Sequence, residues 1–324
     1  MLSLVGCDPP NSHYYDVLNK RSIVRRTVNS QRAKYASRKQ SSLGVVVPCH
    51  NNSWQLHGVL KSLDYQTVKP EMVVAVDDNS NPSEEVRLRY LCRRFGAVYT
   101  KLPDPRKRPE EFGRRSHARN HGTEALDTDL ILYLDGDMLL SPGYIHEIKH
   151  YHAALQRIYI RGQRYSISAA QQTKGMESCL AEIKSQHILR ETLCSYVTPP
   201  PDFIGKKAYQ AAYYDKWEWC ASNNLSVRNE HVSDIGYWDE NFVGWGEEDI
   251  DFSFRLFRLG LTPIHLVSGN AASYHLEHPV DHETNTLTLK TNGSYLMSKF
   301  PELAEYRREA YARHNVNIDD LLQD

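Results

Sequence analysis

The feature that most limits the fold of this 324-residue chain is a regular alternation of short apolar runs with helical patterns. Such alternation places crossover helices between neighbouring strands, so it predicts an α/β fold with a doubly wound, mostly parallel sheet. Ser53 is predicted to cap the first helix. The predicted strands are 43–48, 72–76, 97–102, 130–134 and 157–170, and the predicted helices are 53–66, 84–95, 117–126, 142–155 and 176–189.

The predicted strand 130–134, Leu-Ile-Leu-Tyr-Leu, ends abruptly in Asp135-Gly136-Asp137. A short and continuously apolar run suits a strand that is buried on both faces of a parallel sheet. Two carboxylates at its carboxyl end, separated by a glycine that permits a sharp turn, can hold a hard divalent cation. An ordinary turn rich in Asp and Gly accounts for the same residues, so both interpretations stay open at this point.

Polar residues also follow the first two predicted strands. Pro48 closes the first strand and is followed by His50 and Asn51, and Asp77-Asp78 follow the second. In open α/β sheets, ligands bind beyond the carboxyl ends of the strands, which all lie at one edge of a parallel sheet. We therefore expect these groups to converge with Asp135 and Asp137 on one site for a metal ion and a diphosphate.

A second strong signal is Gly244-Trp245-Gly246, followed by three acidic residues at 247–249. The glycines let a loop approach a ligand closely, and the indole offers a flat apolar wall. Glu248 and Asp249 are predicted to open a helix, and acids beside an aromatic wall make a general-base site. The helix is predicted to bury one stripe and to carry an ion pair on its other side: Ile250, Phe254, Phe257 and Leu261 form the stripe, and Asp251 with Arg255 the pair.

Composition argues against several classes of function. A formal net charge of -1 gives no indication of a nucleic-acid partner. No apolar run approaches the roughly 18 residues of a membrane span, and the first residues lack the pattern of a signal peptide. The six cysteines form no C-x-x-C pair, which favours reduced thiols over a disulfide framework or a zinc site. These features predict a cytoplasmic protein. The cationic stretches 106–108, 114–115 and 157–164 are predicted to be solvated surface.

Seven segments carry a family resemblance. VVVPCHNN, AVDDNS, HARNHG, LYLDGDM, SNNLSVR, GYWDENFVGWGEEDIDF and YHLEHP occur in the order seen in GT-A-fold glycosyltransferases of family 2. The Gly-Trp-Gly-Glu-Glu-Asp block and the last Tyr-His resemble the galactosyl- and N-acetylgalactosaminyltransferase branch, which includes bacterial chondroitin polymerase. The resemblance covers residues 43–280 and implies the GT-A fold.

The resemblance also implies a role for individual residues. It implies that the nucleotide-sugar site contains Pro48, His50, Asn51, Asp77, Asp78, Arg119, Asp135, Gly136, Trp245 and Gly246. It implies Asp249 as the catalytic base with Glu248 beside it, and a metal ion held by Asp137, Asp135 and His275. His278 is assigned to the surroundings of this site. Glu247 departs from the family pattern, in which glycine is more usual.

The activity implied is a metal-dependent, inverting transfer of a sugar, with Mn²⁺ or Mg²⁺ as cofactor. The donor is a UDP-sugar (UDP-GalNAc, UDP-Gal or UDP-GlcNAc), and the acceptor is a hydroxyl of a glycan or glycoconjugate. A nucleotidyltransferase and an inactive, sugar-nucleotide-binding scaffold are the alternatives. Both stay open, although the first usually has a glycine-rich phosphate loop, which 48–51 is not.

The domain prediction has three parts. An N-terminal helical extension covers 1–42, and a helical C-terminal extension covers 281–324. Between them, the GT-A domain at 43–280 is divided into a nucleotide-binding half, 43–140, and an acceptor and catalytic half, 141–280. The oligomeric state and a peripheral contact with the inner face of a membrane are left open.

Overall fold

The computed structural model describes residues 41–103, 113–185, 217, 222–266 and 269–312. The predicted N-terminal extension lies almost entirely outside these residues. Parts of the predicted helix 176–189 and of the predicted C-terminal extension also lie outside them.

The described chain alternates strands and helices. The strands are β1 (Leu43–Cys49), β2 (Met72–Asp77), β3 (Val98–Lys101), β4 (Leu130–Leu134), β5 (Met138–Leu140), β6 (Ile158–Ile167), β7 (Asn224–Arg228), β8 (Thr262–Leu266) and β9 (Ala272–Leu276). The helices are α1 (Ser53–Asp64), α2 (Pro82–Phe95), α3 (Arg115–Glu124), α4 (Tyr144–Ala154), α5 (Ala169–Gln172), α6 (Met176–Ser185), α7 (Asn229–Asp234), α8 (Glu248–Arg258), α9 (His282–Lys299) and α10 (Pro301–Ala312).

The described strands form one mixed sheet in the order β3-β2-β1-β4-β7-β6-β9-β5, with β8 paired to β6. Strands β3, β2, β1 and β4 are parallel to one another, as the alternation predicted. Strand β7 is antiparallel to both β4 and β6, and β5 is antiparallel to β9. The prediction of a mostly parallel sheet with crossover helices is confirmed.

Helices cover both faces of the sheet, and β1 shows why. Its side chains alternate, so Val45 and Val47 enter one apolar core while Val46 enters the other. The first core also receives α1, α2, α4 and α6, and the second receives α3, α7, α8, α9 and α10. This arrangement leaves the carboxyl ends of β1, β2 and β4 as a shared edge on which polar groups collect.

Two local predictions were wrong. Ser53 is the first residue of α1 rather than its cap, and its backbone N–H donates to the Glu84 carboxylate at 2.9 Å. In α8, Phe257 is 45 % exposed although it was assigned to the buried stripe. The predicted Asp251–Arg255 pair does form, but Asp251 is fully buried and also binds Lys299 of α9. The long-range ion pair therefore allows the charged side of α8 to pack inward.

The sequence patterns did not predict β5, β7, β8 or β9. Strand β9 contains His275, a predicted metal ligand. The prediction of solvated surface for the cationic stretches was also wrong where they are described, because Arg161 is 3 % exposed and Arg114 and Arg115 are partly buried. Within the described part of the chain, none of the helices has the length and apolar character needed to cross a bilayer.

Candidate active site

The loops after β1 and β2 meet at one end of the site. The register places Cys49 opposite Asp77, so the residues that follow both strands are neighbours. His50 Nδ1 donates to the backbone carbonyl of Asp78 at 2.9 Å, and Asn51 Nδ2 donates to His50 Nε2 at 2.9 Å. Parallel pairing therefore brings together three residues that the sequence assigned to the nucleotide.

The two acids at the carboxyl end of β2 have different surroundings. Asp77 is fully buried, and its two oxygens accept from the Ser80 N–H at 2.8 Å and the Tyr99 hydroxyl at 2.6 Å. Asp78 accepts from both the backbone N–H of Arg114, at 3.0 Å, and its guanidinium, at 2.9 Å. Asp77 is thus occupied in holding its own loop, whereas Asp78 holds the segment at Arg114 against the end of β2.

The Asp135-Gly136-Asp137 turn packs tightly on the loop after β1. A Cβ atom at Gly136 would lie 2.7 Å from the Pro48 carbonyl oxygen and 2.4 Å from Asn52 Nδ2. Asn52 Nδ2 also donates to the Gly136 carbonyl at 3.2 Å. Because the turn has no room for a side chain here, glycine allows the two acids to lie close to the loop after β1.

Asp137 forms a cluster with two histidines. Its Oδ2 lies 3.5 Å from His275 Nε2 and 3.2 Å from His278 Nε2. The antiparallel pairing of β5 with β9 builds the contact, since Met138 is opposite His275 and the Leu276 N–H donates to the Asp137 carbonyl at 3.0 Å. His278, which the sequence analysis placed outside the metal set, is part of the cluster.

The donor set of this cluster suits a metal ion. The three candidate ligand atoms lie within 4.8 Å of one another, and Asp137 Oδ1 is buried without a hydrogen bond. His278 Nδ1 donates to the Pro279 carbonyl at 2.9 Å, which leaves Nε2 as the ligand atom once the ring is neutral. Burial acts to raise the pKa of Asp137, but hydrogen bonds from His275 and His278 hold that pKa well below its usual range.

Asp135 lies apart from this cluster. Its Oδ1 is 3.2 Å from Nη2 of Arg119, and its side chain is 37 % exposed. The other terminal nitrogen of Arg119, Nη1, lies 3.3 Å from Glu248 Oε1, and the guanidinium stacks 4.6 Å from the Trp238 ring centroid. Arg119 is only 1 % exposed. A buried cation on α3 thus joins the end of β4 to the start of α8.

Among the acids of the candidate site, Asp249 has a pKa far above its ordinary value. Burial raises its pKa to about 7, and repulsion from Glu248 acts in the same direction, while the charge of Arg119 opposes them. Its Oδ1 accepts from the Ile250 N–H at 3.0 Å. A carboxyl with a pKa near neutrality is suited to take up and release a proton at physiological pH.

The loop that precedes α8 is held by the C-terminal helices. Asn292 Nδ2 donates to the carbonyls of Val243 and Gly246 at 3.1 and 2.8 Å. The Thr288 hydroxyl bonds both the N–H and the carbonyl of Trp245, whose side chain remains 36 % exposed. These contacts present the indole at the surface of the site while its backbone is fixed.

Glu247 closes the same loop in an unusual backbone conformation. Its φ is +70°, a region that favours glycine, which explains why glycine is the more usual residue at this point of the pattern. The carboxylate pairs with the Arg307 guanidinium of α10 through two contacts of 3.0 and 3.1 Å. The ion pair provides a side-chain interaction that glycine could not make.

The structure brings most predicted site residues to one sheet edge and adds others. Pro48 lies near the end of β1, and the adjoining loops carry His50, Asn51, Asp78, Asp135, Gly136 and Asp137. Arg119 connects Asp135 to Glu248 at the start of α8. Sequence reasoning missed Arg114, Thr288, Asn292 and Arg307. No local pattern distinguishes them, because each acts on a loop distant in the sequence.

Comparisons with known proteins identify the family of this chain. A family model for glycosyl transferase family 2 matches residues 44–210, and a model for the N-terminal domain of galactosyltransferase matches residues 204–279. The validoxylamine A glucosyltransferase of Streptomyces hygroscopicus subsp. limoneus is 26 % identical over 270 residues, which are 81 % of this chain and 57 % of the relative. The chondroitin synthase of Escherichia coli is 24 % identical over 250 residues, or 73 % and 35 % of the two chains. The chain thus spans only part of these relatives.

Solved structures share the fold at lower identity. The structure of GalNAc-T7 with UDP, GalNAc and Mn²⁺ matches with a TM-score of 0.55 and 13 % identity, over 81 % of this chain and 48 % of that one. TarS of S. aureus matches with a TM-score of 0.51 and 14 % identity, over 79 % and 40 %.

Proposed function

This chain belongs to glycosyl transferase family 2 and has the GT-A fold, and we propose that it moves a sugar from a UDP-sugar to an acceptor hydroxyl with inversion. The proposal rests on two sets of residues that Arg119 connects. One set could bind a leaving diphosphate, and the other holds an acid that could take the proton of an attacking hydroxyl. On one side lie the nucleotide loops and the Asp137 cluster, and on the other lies Asp249, with its pKa of about 7. A leaving diphosphate and an attacking hydroxyl need groups of these two kinds.

The donor is a UDP-sugar in this proposal, with GalNAc, Gal or GlcNAc as the sugar. The fold relative GalNAc-T7 was crystallised with UDP, GalNAc and Mn²⁺, which makes these the first compounds to test. We assign the uracil and ribose to the loops that carry His50, Asn51 and Asp78. One oxygen of Asp135 remains outside its 3.2 Å contact with Arg119, so this half-exposed carboxylate can also accept from a ribose hydroxyl.

Asp137, His275 and His278 would hold the metal ion. Two imidazoles and one carboxylate suit Mn²⁺ better than Mg²⁺, which prefers oxygen ligands. When bound, the ion would supply positive charge to the diphosphate as the sugar leaves. Asp135, the other predicted ligand, is assigned to the nucleotide because it contacts Arg119 and not the cluster.

Asp249 acts as the base in this proposal. It takes the proton of the acceptor hydroxyl as the oxygen bonds to the anomeric carbon and the bond from that carbon to the diphosphate oxygen breaks. A single displacement of this kind inverts the anomeric configuration. Trp245 forms an apolar wall against which a sugar ring can stack, and Glu248 is held by Arg119 beside it. The acceptor is proposed to be a glycan or glycoconjugate.

The first test is thermal unfolding of the protein with Mn²⁺ and a panel of nucleotides and nucleotide sugars. A ligand that binds the folded state raises the melting temperature, so we expect a rise that is confined to uridine compounds and requires Mn²⁺. The absence of any nucleotide-dependent rise would contradict the proposed donor and favour a scaffold that shares only the fold.

The role of Asp249 is tested by Asp249→Asn, which keeps the shape of the side chain. Removing a general base is expected to lower transfer by roughly 100-fold or more, measured as UDP release from the donor, while UDP affinity stays unchanged. The matched control is Asp64→Asn, an exposed carboxylate that pairs only with Lys69 among the described residues. If Asp249→Asn also abolishes UDP binding, Asp249 supports the donor site and is not the base.

A further inference from the structure

Arg115, the first residue of α3, faces the same site but has no assigned role. We propose that Arg115 binds the diphosphate of the donor from the side opposite the Asp137 cluster. The inference rests on the function proposed above, and it names a residue that determines how the donor is held.

The position of Arg115 is fixed by the loop before α8. Its Nη1 donates to the Gly244 carbonyl at 2.5 Å, and the Gly244 N–H donates in return to the Gly113 carbonyl at 3.0 Å. Two hydrogen bonds, one donated from each side, therefore hold the segment 113–115 against the loop at residue 244. A guanidinium held in this way loses little further conformational freedom when it binds an anion.

The orientation of Arg115 follows from its spacing on α3. Arg115 and Arg119 are four residues apart, so they share one helix face, and Arg119 reaches Asp135 on that face. Arg115 thus lies one helical turn before Arg119, on the helix face that reaches the Asp135-Gly136-Asp137 turn.

The three arginines of this region differ in how their charges are satisfied. Arg114 binds the Asp78 carboxylate, and Arg119 lies between those of Asp135 and Glu248. Within the described residues, no carboxylate pairs with Arg115, and the Gly244 carbonyl is its hydrogen-bond partner. Most N–H groups of this partly buried guanidinium donate to no group of the described residues, so they can donate to a bound anion. The planar arrangement of these N–H groups matches the oxygens of a phosphate.

The neighbours of Arg115 identify the anion as the donor diphosphate. Arg114 holds the acid assigned to the nucleotide, and the adjacent Arg115 shares a helix face with Arg119, which contacts Asp135 two residues before Asp137, a residue assigned to the metal ion. A diphosphate that extends from that nucleotide to that ion passes between these points. Two cations on opposite sides would then share the charge that develops on the leaving group.

The experiment measures binding of uridine, UMP and UDP in the presence of Mn²⁺ by calorimetry. In Arg115→Met, we expect UDP affinity to fall by roughly 10- to 100-fold, the range expected for a lost charge-assisted hydrogen bond. UMP should lose less, uridine should change by less than about 2-fold, and Arg115→Lys should fall between wild type and Arg115→Met. Affinity for Mn²⁺ alone should be unchanged or tighter, since a repelling charge has been removed.

The control is Arg87→Met, which removes an exposed arginine that pairs only with Glu84 among the described residues and should leave all three affinities unchanged. Unchanged UDP affinity in Arg115→Met would overturn the inference, and so would an equal loss for uridine and UDP, which would indicate a disturbed loop. These outcomes require that wild type binds UDP. If wild type itself does not, the proposed donor is wrong as well, which separates the two failures.

Discussion

Replacing Arg119 with methionine removes the buried charge that lies between Asp135 and Glu248. The side chain is 1 % exposed, and methionine fills a similar volume without the charge. Because Glu248 is itself buried, its carboxylate would be left without its cation. Breaking a buried ion pair costs about 3–5 kcal/mol, and we expect the lower end because Asp135 is partly exposed to water.

The same substitution should change the titration of Asp249. The charge of Arg119 favours the ionised form of Asp249, and its removal raises a pKa that already stands at about 7. An opposite charge nearby shifts a carboxyl pKa by roughly 1–3 units, so a value of at least about 8 is expected in Arg119→Met. The ionised fraction at pH 7 then falls from about one half to about one tenth, a roughly 5-fold loss that disappears near pH 9.

The assay is UDP release from a UDP-sugar with Mn²⁺, followed from roughly pH 6 to pH 9. The acid limb of the profile should move to higher pH in Arg119→Met and stay near its wild-type position in Arg119→Lys, which retains the charge. The carboxyl carbon shift of Asp249, followed by NMR, reports the same pKa without a substrate. An acid limb at the wild-type pH in Arg119→Met would refute the electrostatic coupling between Arg119 and Asp249.

Two further substitutions test how the metal site is built. His278→Ala should weaken Mn²⁺ binding by roughly 10- to 100-fold in a direct titration, with the exposed His146→Ala as control, and equal affinities would remove His278 from the cluster. Gly136→Ala should lower the free energy of unfolding by about 1–3 kcal/mol in chemical denaturation, since a Cβ would meet the Pro48 carbonyl and Asn52; wild-type stability would show that the turn can move.

The first half of the fold could be predicted because its signals are local. Strands β1, β2 and β4 are short apolar runs, and a parallel sheet places the residues after them at one edge. The convergence of His50, Asp78 and Asp135 needed no information beyond strand direction. The prediction of a general-base site among residues 247–249 used a helix start and an adjacent tryptophan, which are also local features, and the family resemblance singled out Asp249.

The second half of the sheet and the candidate metal cluster depend on contacts between residues far apart in the sequence, which local patterns do not predict. Strand β5 has three residues and owes its existence to pairing with β9, so the meeting of Asp137 with His278 could not be derived from spacing. The buried face of α8 was misassigned because Lys299, far along the chain, neutralises Asp251. Burial of a charge becomes favourable only through its partner, and the partner is known only from the tertiary structure.

The way α9 holds the loop before α8 has a consequence for how specificity can change. The hydrogen bonds of Thr288 and Asn292 go to backbone atoms of residues 243, 245 and 246, and so do not depend on which side chains those residues carry. The side chains of Val243 and Trp245 are exposed, and replacing them would leave these backbone hydrogen bonds in place. The backbone of this loop is thus held independently of its side chains. Under the proposed function, Val243 and Trp245 are therefore the first positions to vary in a search for a new acceptor.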